Sequence, residues 1–192
     1  HKAKIKDKLK LSNFKLIILF APTYTKTSEE AIDFEVILET FSVREKISLD
    51  DIILIRKMHH KVIKNEEYID MKFNYLDLSN YPDVQDLLVI SDILITNYSS
   101  IIWDFSLLYK EGYLYVPDLQ DYTLERSFYI DIDKWPYPKC LNTRQLVDEI
   151  NSYDYLKLKV KITNHHNLLG SYEKGKATEI AIEEINKIME KV

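Results

Sequence analysis

Short apolar runs alternate along the chain with longer stretches that have helical spacing. The first run, KLIILFAP at 15–22, is continuously apolar and is stopped by a proline, which is typical of a strand buried on both faces. Later runs of the same kind predict further strands at 51–58, 73–79, 92–96 and 112–117. The run at 73–79 is the least apolar of these, so we expect it to lie near an edge of the sheet.

Helical spacing fills the intervals between the predicted strands. The stretch 28–41 has Ile32, Val36 and Phe41 among its apolar positions, and Ser28 is its expected N-cap. We predict a short polar helix at about 60–68 and a helix at 80–91 that is capped by Asn80. Further helices are predicted at 99–110, 142–153 and 175–192, the last with its isoleucines inside: Ile180, Ile182, Ile185 and Ile188.

This alternation of strands and helices predicts the fold class. Consecutive strand–helix–strand units imply parallel strands with right-handed crossovers, so we expect an α/β, Rossmann-like parallel sheet in a single domain, 1–192. After 118 the pattern loosens into a long aromatic loop region, in which only 127–132 is strand-like. We expect 1–14 to form a flexible arm and 171–192 to form a C-terminal helix.

Composition and charge exclude several classes of protein. Of the 192 residues, 46% are hydrophobic and 30% are charged, so the chain should fold around a substantial core. A net charge of -5 argues against a nucleic-acid-binding domain, which would carry a basic patch. The first ten residues contain five lysines and are interpreted as a solvated arm, with contact to anionic lipid or to a preceding segment as the alternatives.

The numbers of cysteines and glycines exclude two structural features, an intrachain disulfide and a glycine-rich phosphate loop. Cys140 is the only cysteine, so an intrachain disulfide is impossible and a reducing compartment fits. The 3 glycines are too few for a glycine-rich phosphate loop. No apolar run approaches the roughly 18 residues that cross a bilayer, and we expect no signal peptide. The sequence also lacks an initiating Met, which suggests a piece of a longer protein.

Polar side chains gather at the predicted strand ends, where open α/β sheets bind ligands. They are hydroxyls, amides and imidazoles, which suit an anionic ligand, and they occupy 23–25, 59–60, 77–80, 96–100 and 117–118. Neither the histidines nor the carboxylates have the spacing of a zinc site or of a two-metal cluster. We therefore expect no metal and no cofactor.

The serine pair Ser99–Ser100 lies where the fourth predicted strand gives way to a helix. A helix N-terminus has unpaired N–H groups and a positive dipole, so it favours a phosphate, and two hydroxyls add donors. The alternative is that Ser99 is only an N-cap, which contributes about 1 kcal/mol. Both interpretations stay open because capping and phosphate binding use the same geometry.

Other candidates are weaker. His59 follows an apolar strand and is placed to act as a general base or to donate to a phosphate, although a loop histidine is more commonly a surface residue. Asp104 falls one helical turn after Ser100 and either points back toward the strand ends or caps that turn. His165 and His166 lie in a polar stretch and are interpreted as solvated surface.

The sequence resembles the CDP-glycerol glycerophosphotransferases, the primases and polymerases of bacterial teichoic acids. The likeness is carried, in the family's order, by ILFAPTY, KMHH, LDLSNYPDVQDLLVISDILITNYSSIIWDFSLL, ERSFYIDI and GKATEIAIEEI. It implies a GT-B architecture of two Rossmann-like lobes, of which this chain matches the C-terminal, nucleotide-binding lobe. Three positions depart from the family's usual residues: Asn97 (for Asp), His60, and Ser127 within RSFY (for RGFY).

The resemblance also implies roles for individual residues. His59 would be one of two important histidines and would lie near the donor pyrophosphate, while the second histidine belongs to the N-terminal lobe, outside this chain. Ser99 and Ser100 would bind phosphate. The remaining donor contacts would come from the other strand ends, with Arg126 and Lys176 as weaker phosphate partners: Thr23, Asp77, Ser79, Thr96, Asn97 and Asp104.

The implied activity is transfer of glycerol phosphate, or another polyol phosphate, from a CDP-polyol to a lipid-linked acceptor in teichoic acid synthesis. It would take place at the cytoplasmic face of the membrane, with the protein bound peripherally. Two alternatives are a glycosyltransferase lobe that uses another nucleotide-sugar in capsule synthesis, and a non-catalytic binding lobe, for which Asn97 is the only sequence support.

Overall fold

The structure is a computed structural model that describes residues 1–23, 32–58, 72–171 and 175–190. Within these ranges, one sheet contains six parallel strands: β1 Leu16–Phe20, β2 Ile52–Arg56, β3 Asn74–Asp77, β4 Ile93–Thr96, β5 Glu111–Tyr115 and β6 Lys139–Cys140. Their order is β3-β2-β1-β4-β5-β6. The five predicted strands and the edge position of β3 are confirmed. The strand-like piece at 127–132 is irregular up to Ile132, where a short 3-10 helix begins, and the short β6 was not predicted.

Eight α-helices connect or follow these strands in the described residues: α1 Lys2–Lys8, α2 Phe34–Glu45, α3 Val84–Ile90, α4 Ile101–Ser106, α5 Leu119–Glu125, α6 Thr143–Asn151, α7 Tyr155–Leu169 and α8 Ala177–Met189. Helices α5 and α7 were not predicted. The predicted polar helix at 60–68 lies outside the described residues.

The sheet separates two hydrophobic cores, as the continuous apolar runs require. Ile17 and Leu19 of β1 face the core that α1, α3, α4 and α7 cover, where Ile102 and Phe105 are buried. The alternate residues of β1 face the second core, under α2 and α6, where Phe41 is buried. Every residue of β1 is therefore buried, which confirms the prediction of a strand covered on both faces.

The N-terminal residues are not the solvated arm that their lysines suggested. They form α1, which packs against α3 and buries the side chain of Ile5; Leu11, just after the helix, is also buried. His1 and Lys2 pair with Asp86 and Asp92 at the surface. The lysines are spaced around an apolar face, and burial of that face outweighs the solvation of their flexible side chains.

Two helices begin later than predicted. The cap of α2 is Asp33, whose carboxylate accepts from the N–H of Val36, and Ser28 lies outside the described residues. The cap of α3 is Asp83, which accepts from the N–H of Gln85; Asn80 lies instead in a turn. In each case an aspartate nearer the apolar positions takes the role that the sequence analysis gave to an earlier polar residue.

Helix α8 is amphipathic as predicted, but its isoleucines are not inside. The exposed fractions of Ile180, Ile182, Ile185 and Ile188 lie between 53% and 64%. The hydrophobic pattern of a helix shows which face is apolar; it does not show that a partner surface is present in the same chain.

The strand order reverses between β1 and β4, which are adjacent, with Phe20 opposite Ile95. One connection runs from β1 to β2 on one side of this point, and the chain then crosses back to β4 on the other side. A crevice opens at the carboxyl ends of the two strands at such a reversal, and ligands of open α/β sheets bind there. The fold thereby places 21–23 and 97–100 at the position best suited to a ligand.

Candidate functional site

Asn97 joins the carboxyl ends of β1 and β4. Its amide oxygen accepts from the N–H of Thr23 at 2.8 Å, and its amide nitrogen donates to the carbonyl of Thr23 at 3.1 Å. The Asn97 side chain is buried. Both ends of the amide are thus used within the protein, so Asn97 positions the chain at the site and does not offer its side chain to a ligand.

Thr96 has the same kind of structural role. Its hydroxyl is buried and donates to the carbonyl of Ala21 at 2.7 Å, next to the ladder bond from the N–H of Ala21 to the carbonyl of Ile95. Of the residues predicted from the β4 exit, Thr96 and Asn97 therefore hold the two strand ends together. This leaves the serine pair as the group that faces outward.

Ser99 is half-buried and Ser100 is exposed at the start of α4. Ser100, not Ser99, occupies the N-cap position, and its side chain makes no capping hydrogen bond. The backbone carbonyls of both serines accept from α4, from Ile102 and Trp103. Among the described residues, neither hydroxyl has a hydrogen-bond partner, so the interpretation of Ser99 as only an N-cap is wrong.

An aromatic cluster borders the serine pair on the β5 side, and the sequence analysis did not identify it. Tyr98 stacks on Tyr122 with ring centroids 3.6 Å apart, and Phe128 packs against both rings. The Tyr98 hydroxyl donates to Asp118, directly after β5, at 2.9 Å. Burial, followed by this hydrogen bond, raises the pKa of Tyr98 well above its usual value. The sequence feature that could have revealed this cluster is Tyr98, an aromatic residue between Asn97 and Ser99.

Arg126 lies at the end of α5, beside this cluster. Its guanidinium is 5.6 Å from the centroid of the Tyr122 ring, and the residue is exposed. Within the described ranges it has no carboxylate partner. The structure therefore places an exposed cation next to the aromatic cluster, on the same side of the sheet as the serine pair.

Asp77 and Ser79 form a closed turn after β3, the edge strand on the other side of the sheet. Asp77 accepts from the N–H of Ser79 at 2.7 Å and pairs with Arg56 at 3.0 Å. The hydroxyl of Ser79 accepts from the N–H of Met58 at 3.0 Å. Burial acts to raise the pKa of Asp77, but the hydrogen bonds from Ser79 and the charge of Arg56 outweigh it and lower that pKa.

Lys57 fixes this turn to β2, and it was not among the predicted site residues. Its ammonium donates to the carbonyls of Ser79 and Tyr81, each at 2.7 Å. Burial lowers the pKa of Lys57, and the charge of Asp77 opposes that shift. Because β3 is three strand spacings of about 4.8 Å from β4, the Asp77 turn and Asn97 are about 14 Å apart. A single phosphate could not contact both, whereas a nucleoside diphosphate could extend between them.

The side chain of Asp104 binds α3, and among the described residues it makes no hydrogen bond to its own turn. It is exposed on α4 and accepts from the side-chain amide of Gln85 at 2.9 Å, which links α4 to α3. His59, His60, Tyr24 and Thr25 lie outside the described residues. The neighbour of His59, Met58, is held by Ser79, so the chain enters that region from a fixed position at the strand ends.

The two histidines of α7 are not solvated surface. His165 is buried; its Nδ1 donates to the carbonyl of Lys134 at 2.8 Å, and its ring stacks on Trp103. His166 Nε2 lies 2.8 Å from the hydroxyl of Ser106, which itself donates to Trp103. Burial lowers the pKa of both histidines. The polar neighbours in the sequence point away from α4, while the helical period brings the histidines onto it.

Two other kinds of site are absent from the described residues. Histidine, cysteine and carboxylate side chains there form no group that could hold a metal ion. None of the helices in those ranges combines the length and the hydrophobicity of a membrane-spanning segment.

Comparison with known proteins shows which family this chain resembles. The model of the CDP-glycerol:poly(glycerophosphate) glycerophosphotransferase family matches residues 1–187. The teichoic acid poly(glycerol phosphate) polymerase of Bacillus spizizenii is 34% identical over 187 residues, which cover 95% of this chain and 47% of the relative. The teichoic acid glycerol-phosphate primase of Bacillus subtilis is 35% identical over 167 residues, or 83% of this chain and 41% of the relative.

A solved structure shows the same fold. The H444N variant of the wall teichoic acid polymerase TagF superposes with a TM-score of 0.77 at 24% identity, and the match covers 99% of this chain and 48% of that one. The Rossmann-like fold class of a GT-B lobe is thereby confirmed. This chain spans about half the length of the relatives it matches.

A match over almost the whole chain, together with the shared fold, decides the family that the sequence resembled. The chain belongs to the CDP-glycerol:poly(glycerophosphate) glycerophosphotransferase family.

Proposed function

We propose that this chain is the donor-binding lobe of an enzyme that transfers glycerol phosphate, or another polyol phosphate, from a CDP-polyol to a lipid-linked acceptor in teichoic acid or related polymer synthesis. The relatives that support this proposal include glycerol-phosphate and ribitol-phosphate enzymes. The structure of TagF in its H444N form was also solved after a soak with CDP-glycerol. The remaining half of the enzyme would be the N-terminal lobe of the same polypeptide.

One observation carries the proposal. At the reversal point of the sheet, Asn97 and Thr96 use their polar side chains to hold β1 and β4 together, and the hydroxyls of Ser99 and Ser100 are left without partners among the described residues. Small, unpaired donors at a carboxyl-end crevice suit a phosphate group. The diphosphate of the donor would therefore bind at the serine pair.

Residues at the two ends of the site would bind different parts of the donor. Ser99 and Ser100 would bind the diphosphate, and Arg126 would approach from the aromatic side with its unpaired charge. The turn from Asp77 to Ser79, about 14 Å away across the sheet, would hold the nucleotide half together with Thr23, which lies between the two at the end of β1. Thr96, Asn97 and Asp104 would act by fixing the positions of these residues, and Lys176 remains a weaker candidate for phosphate contact.

The chemical step would be an in-line displacement at phosphorus. The hydroxyl oxygen of the acceptor attacks the β-phosphorus of the CDP-polyol, the bond from that phosphorus to the bridging oxygen breaks, and CMP leaves. The proton of the acceptor passes to a base that the N-terminal lobe would supply. Hydroxyl donors and a protonated His59 would stabilise the negative charge that builds on the bridging oxygen and on the departing phosphate.

The location of this reaction follows from its acceptor. A lipid-linked acceptor is presented at a membrane surface, so the enzyme would work at the cytoplasmic face of the cell membrane and bind there peripherally. The lone buried Cys140 is compatible with a reducing compartment.

Calorimetric titration of the natural polypeptide tests the donor. CDP-glycerol, CDP-ribitol, UDP-sugars and CMP are titrated in turn into the wild type and into the Ser99→Ala/Ser100→Ala double variant. We expect a preference for a cytidine ligand, and an affinity for CDP-glycerol that falls about tenfold for each lost hydroxyl, or 1.4 kcal/mol each. Ser152→Ala is the matched control, because Ser152 ends α6 and, among the described residues, its hydroxyl bonds only to a neighbouring carbonyl.

Three outcomes would contradict the proposal. A preference for a uridine ligand would favour the nucleotide-sugar alternative. Equal affinities of the wild type and the serine double variant would remove the serine pair from the site. An unchanged transfer rate in the His59→Ala variant would favour a lobe that binds without taking part in catalysis.

A further inference from the structure

Helix α4 is too short to hold its own position. It has 6 residues, Ile101–Ser106, and is therefore about 9 Å long. Isolated helices of fewer than about 12 residues are marginal in water, because the first turn is costly to form. The serine pair Ser99–Ser100 lies at the start of this helix. The positions of its hydroxyls therefore depend on the elements that pack against the rest of α4.

Two histidines of α7 contact the middle and the end of α4. The ring of His165 lies nearly parallel to that of Trp103, at an angle of 5° and with centroids 4.9 Å apart. Nε2 of His166 lies 2.8 Å from the hydroxyl of Ser106, and the His166 ring meets that of Tyr109 edge-on. A cavity of about 120 Å³ lies beside these rings, so the two helices are not packed continuously here. The two histidines thus attach α7 to the C-terminal half of α4.

Trp103 connects this contact to the serine pair. One face of the Trp103 ring is covered by His165, and the ring of Trp135 meets it edge-on, with centroids 4.9 Å apart. The backbone N–H of Trp103 donates to the carbonyl of Ser100 at 3.0 Å. A change in the packing of the Trp103 ring would therefore move the first turn of α4 and, with it, both serine hydroxyls.

Hydrogen bonds define the protonation of both rings. Nδ1 of His165 donates to the carbonyl of Lys134 at 2.8 Å, so Nε2 carries the lone pair of the neutral ring. This nitrogen is buried and has no hydrogen-bond partner among the described residues. The hydroxyl of Ser106 donates to the carbonyl of Trp103, and it therefore accepts from Nε2 of His166. Protonation of His165 would bury a charged N–H donor that has no acceptor among the described residues, which is costly.

Charged side chains around the two rings do not favour their protonation. The elements packed there carry the following exposed charged groups: Asp104 of α4, Asp133 and Lys134 of the 3-10 helix Ile132–Lys134, and Lys161 of α7. Asp104 is bound by Gln85, and Asp133 pairs with Lys139. Lys110, after α4, donates to carbonyls at the end of α3. The two carboxylates are thus bound elsewhere, and the lysines would repel a protonated ring.

The neutral rings are therefore the form that the folded protein favours. Burial lowers the pKa of both histidines; the charge of His165 lowers that of His166 further, and the hydrogen bond to Lys134 opposes the shift of His165 without cancelling it. The stability that the contact contributes is then present above the ordinary pKa of 6.5. It is lost as the pH falls from that value through the lower pKa values of the folded state.

We propose that His165 and His166 are positioning residues for the donor site: as neutral rings they hold α4, and through Trp103 they hold the serine pair in the arrangement that binds the diphosphate. This role rests on the function proposed above for the serine pair. In acid the charged rings would leave α4, so donor binding would weaken while the sheet and its two cores stay folded. Donor affinity would thereby depend on pH through residues that do not touch the donor.

Calorimetric titration of the natural polypeptide with CDP-glycerol, between about pH 8 and about pH 5, tests this role. His165→Ala removes the ring, and His165→Phe keeps an uncharged ring on Trp103. Asn164→Ala is the matched control, because Asn164 lies next to His165 in the sequence and is exposed. The measured quantity is the ratio of the dissociation constants of variant and wild type at each pH, in which the titration of the donor and of His59 cancels.

The two His165 variants should respond to pH in different ways. We expect His165→Ala to bind about tenfold more weakly than the wild type at about pH 8 and equally at about pH 5, because the wild type itself loses the contact there. His165→Phe should bind like the wild type at about pH 8 and about tenfold more tightly than it at about pH 5. Asn164→Ala should match the wild type throughout.

Hydrogen exchange of the unmodified polypeptide follows the contact without substitution or nucleotide. After correction for the intrinsic effect of pH, we expect the protection of the α4 amides to fall at least about tenfold between about pH 8 and about pH 5. The protection of β1 and β4 should stay constant, since the sheet does not depend on the two histidines.

Each other result would overturn the proposal. Affinity ratios that stay constant over this range of pH would mean that the rings only fill space between the helices. Constant protection of the α4 amides would mean that the charged rings do not leave α4. A wild type that bound no cytidine nucleotide would overturn the proposed function together with this role. Donor binding with pH-independent exchange of α4 would overturn this role alone, so the two failures are distinguishable.

Discussion

At the scale of single residues, Asn97 shows how one side chain can build a site without contacting the ligand. Asn97 was predicted to bind the donor because it follows β4 directly. The structure instead uses both ends of its amide to hold Thr23. An amide at a strand end can serve either purpose, and only the position of β1, set by the strand order, decides between them.

Replacement of Asn97 by alanine should therefore weaken both the fold and the site. The variant leaves the N–H and the carbonyl of Thr23 without their partner, which should cost about 1–3 kcal/mol in the free energy of unfolding. Affinity for CDP-glycerol should fall about tenfold, because the two strand ends are no longer fixed. Urea denaturation and calorimetry measure the two effects.

Asn151→Ala is the control for this variant, since Asn151 is exposed at the end of α6 and should change neither quantity. If Asn97→Ala kept full stability and lost only donor affinity, Asn97 would be a ligand contact after all. That result would contradict the structural role derived from its hydrogen bonds.

Asp77 predicts a dependence of stability on pH. Its pKa in the folded protein lies below the ordinary value of 3.8, because the hydrogen bonds from Ser79 and the charge of Arg56 outweigh the opposing effect of burial. The folded state thus favours the carboxylate; the resulting stability is present above pH 3.8 and is lost as the pH falls through the lower, folded pKa. The wild type should be more stable than Asp77→Asn at pH 6, and this difference should shrink toward pH 3.

Urea denaturation of the wild type and the Asp77→Asn variant at a series of pH values measures this difference. Asp121→Asn controls for the loss of a carboxylate, because Asp121 is exposed on α5 and forms no ion pair within the described ranges. A difference between wild type and Asp77→Asn that stayed constant from pH 6 to pH 3 would mean that the turn does not favour the ionised form.

At the scale of elements, the sequence predicts strands better than helices in this chain. A strand buried on both faces needs a continuous apolar run, so β1, β2, β4 and β5 were evident. The sequence of α7 begins YLKLKVKI, whose alternation resembles a strand. The carboxylate of Asp154 accepts from the N–H groups of Leu156 and Lys157, and Gly170 ends the helix in a left-handed conformation. These end signals favour a helix over the strand that the alternating pattern suggests. Burial of one face of the helix adds to this preference, through Leu158, Ile162 and His165.

Arg44 and Glu111 join three elements at the end of the sheet opposite the site. Arg44 on α2 makes a bidentate pair with Glu111 of β5 at 2.6 Å and 2.8 Å, and it also donates to the carbonyl of Ile150 on α6. Burial opposes the charge of Arg44, but the hydrogen bonds and charge of Glu111 raise its pKa above the ordinary value. Glu111→Ala should therefore cost about 3–5 kcal/mol in the free energy of unfolding, since it leaves a cation with little access to water.

Glu45 supplies the matched control for this pair, because it binds the same guanidinium at 2.7 Å from a position at the surface. Glu45→Ala should cost less than about 1 kcal/mol. Chemical denaturation compares the two variants. Donor affinity should be unaffected in both, as the pair lies beside the start of β5 and the site lies at the carboxyl ends. Equal costs for the two variants would mean that Glu111 contributes no more than a surface charge.

At the scale of the whole molecule, the chain has a complete sheet with both faces covered, yet it spans about half the length of its relatives. The serine pair and Thr23 lie at the strand ends, and Arg126 lies beside the aromatic cluster that borders the serines. The base for the acceptor proton has no counterpart among these residues. The proposed function therefore implies a division of labour, in which this lobe would bind the donor and the remaining half would complete the transfer.

Comparison of residues 1–192 alone with the natural polypeptide tests this division directly. We expect the isolated lobe to bind CDP-glycerol within about tenfold of the natural affinity, because the contacts proposed for the donor lie on this chain. Its transfer rate should be lower by a factor of about 100–10,000, the usual contribution of a positioned general base. Calorimetry gives the affinity, release of CMP in the presence of acceptor gives the rate, and circular dichroism establishes that the lobe is folded. Turnover close to that of the natural polypeptide would place the base on this chain and end the argument for a division between two lobes, whereas a folded lobe that failed to bind CDP-glycerol would mean that the donor site itself needs both halves.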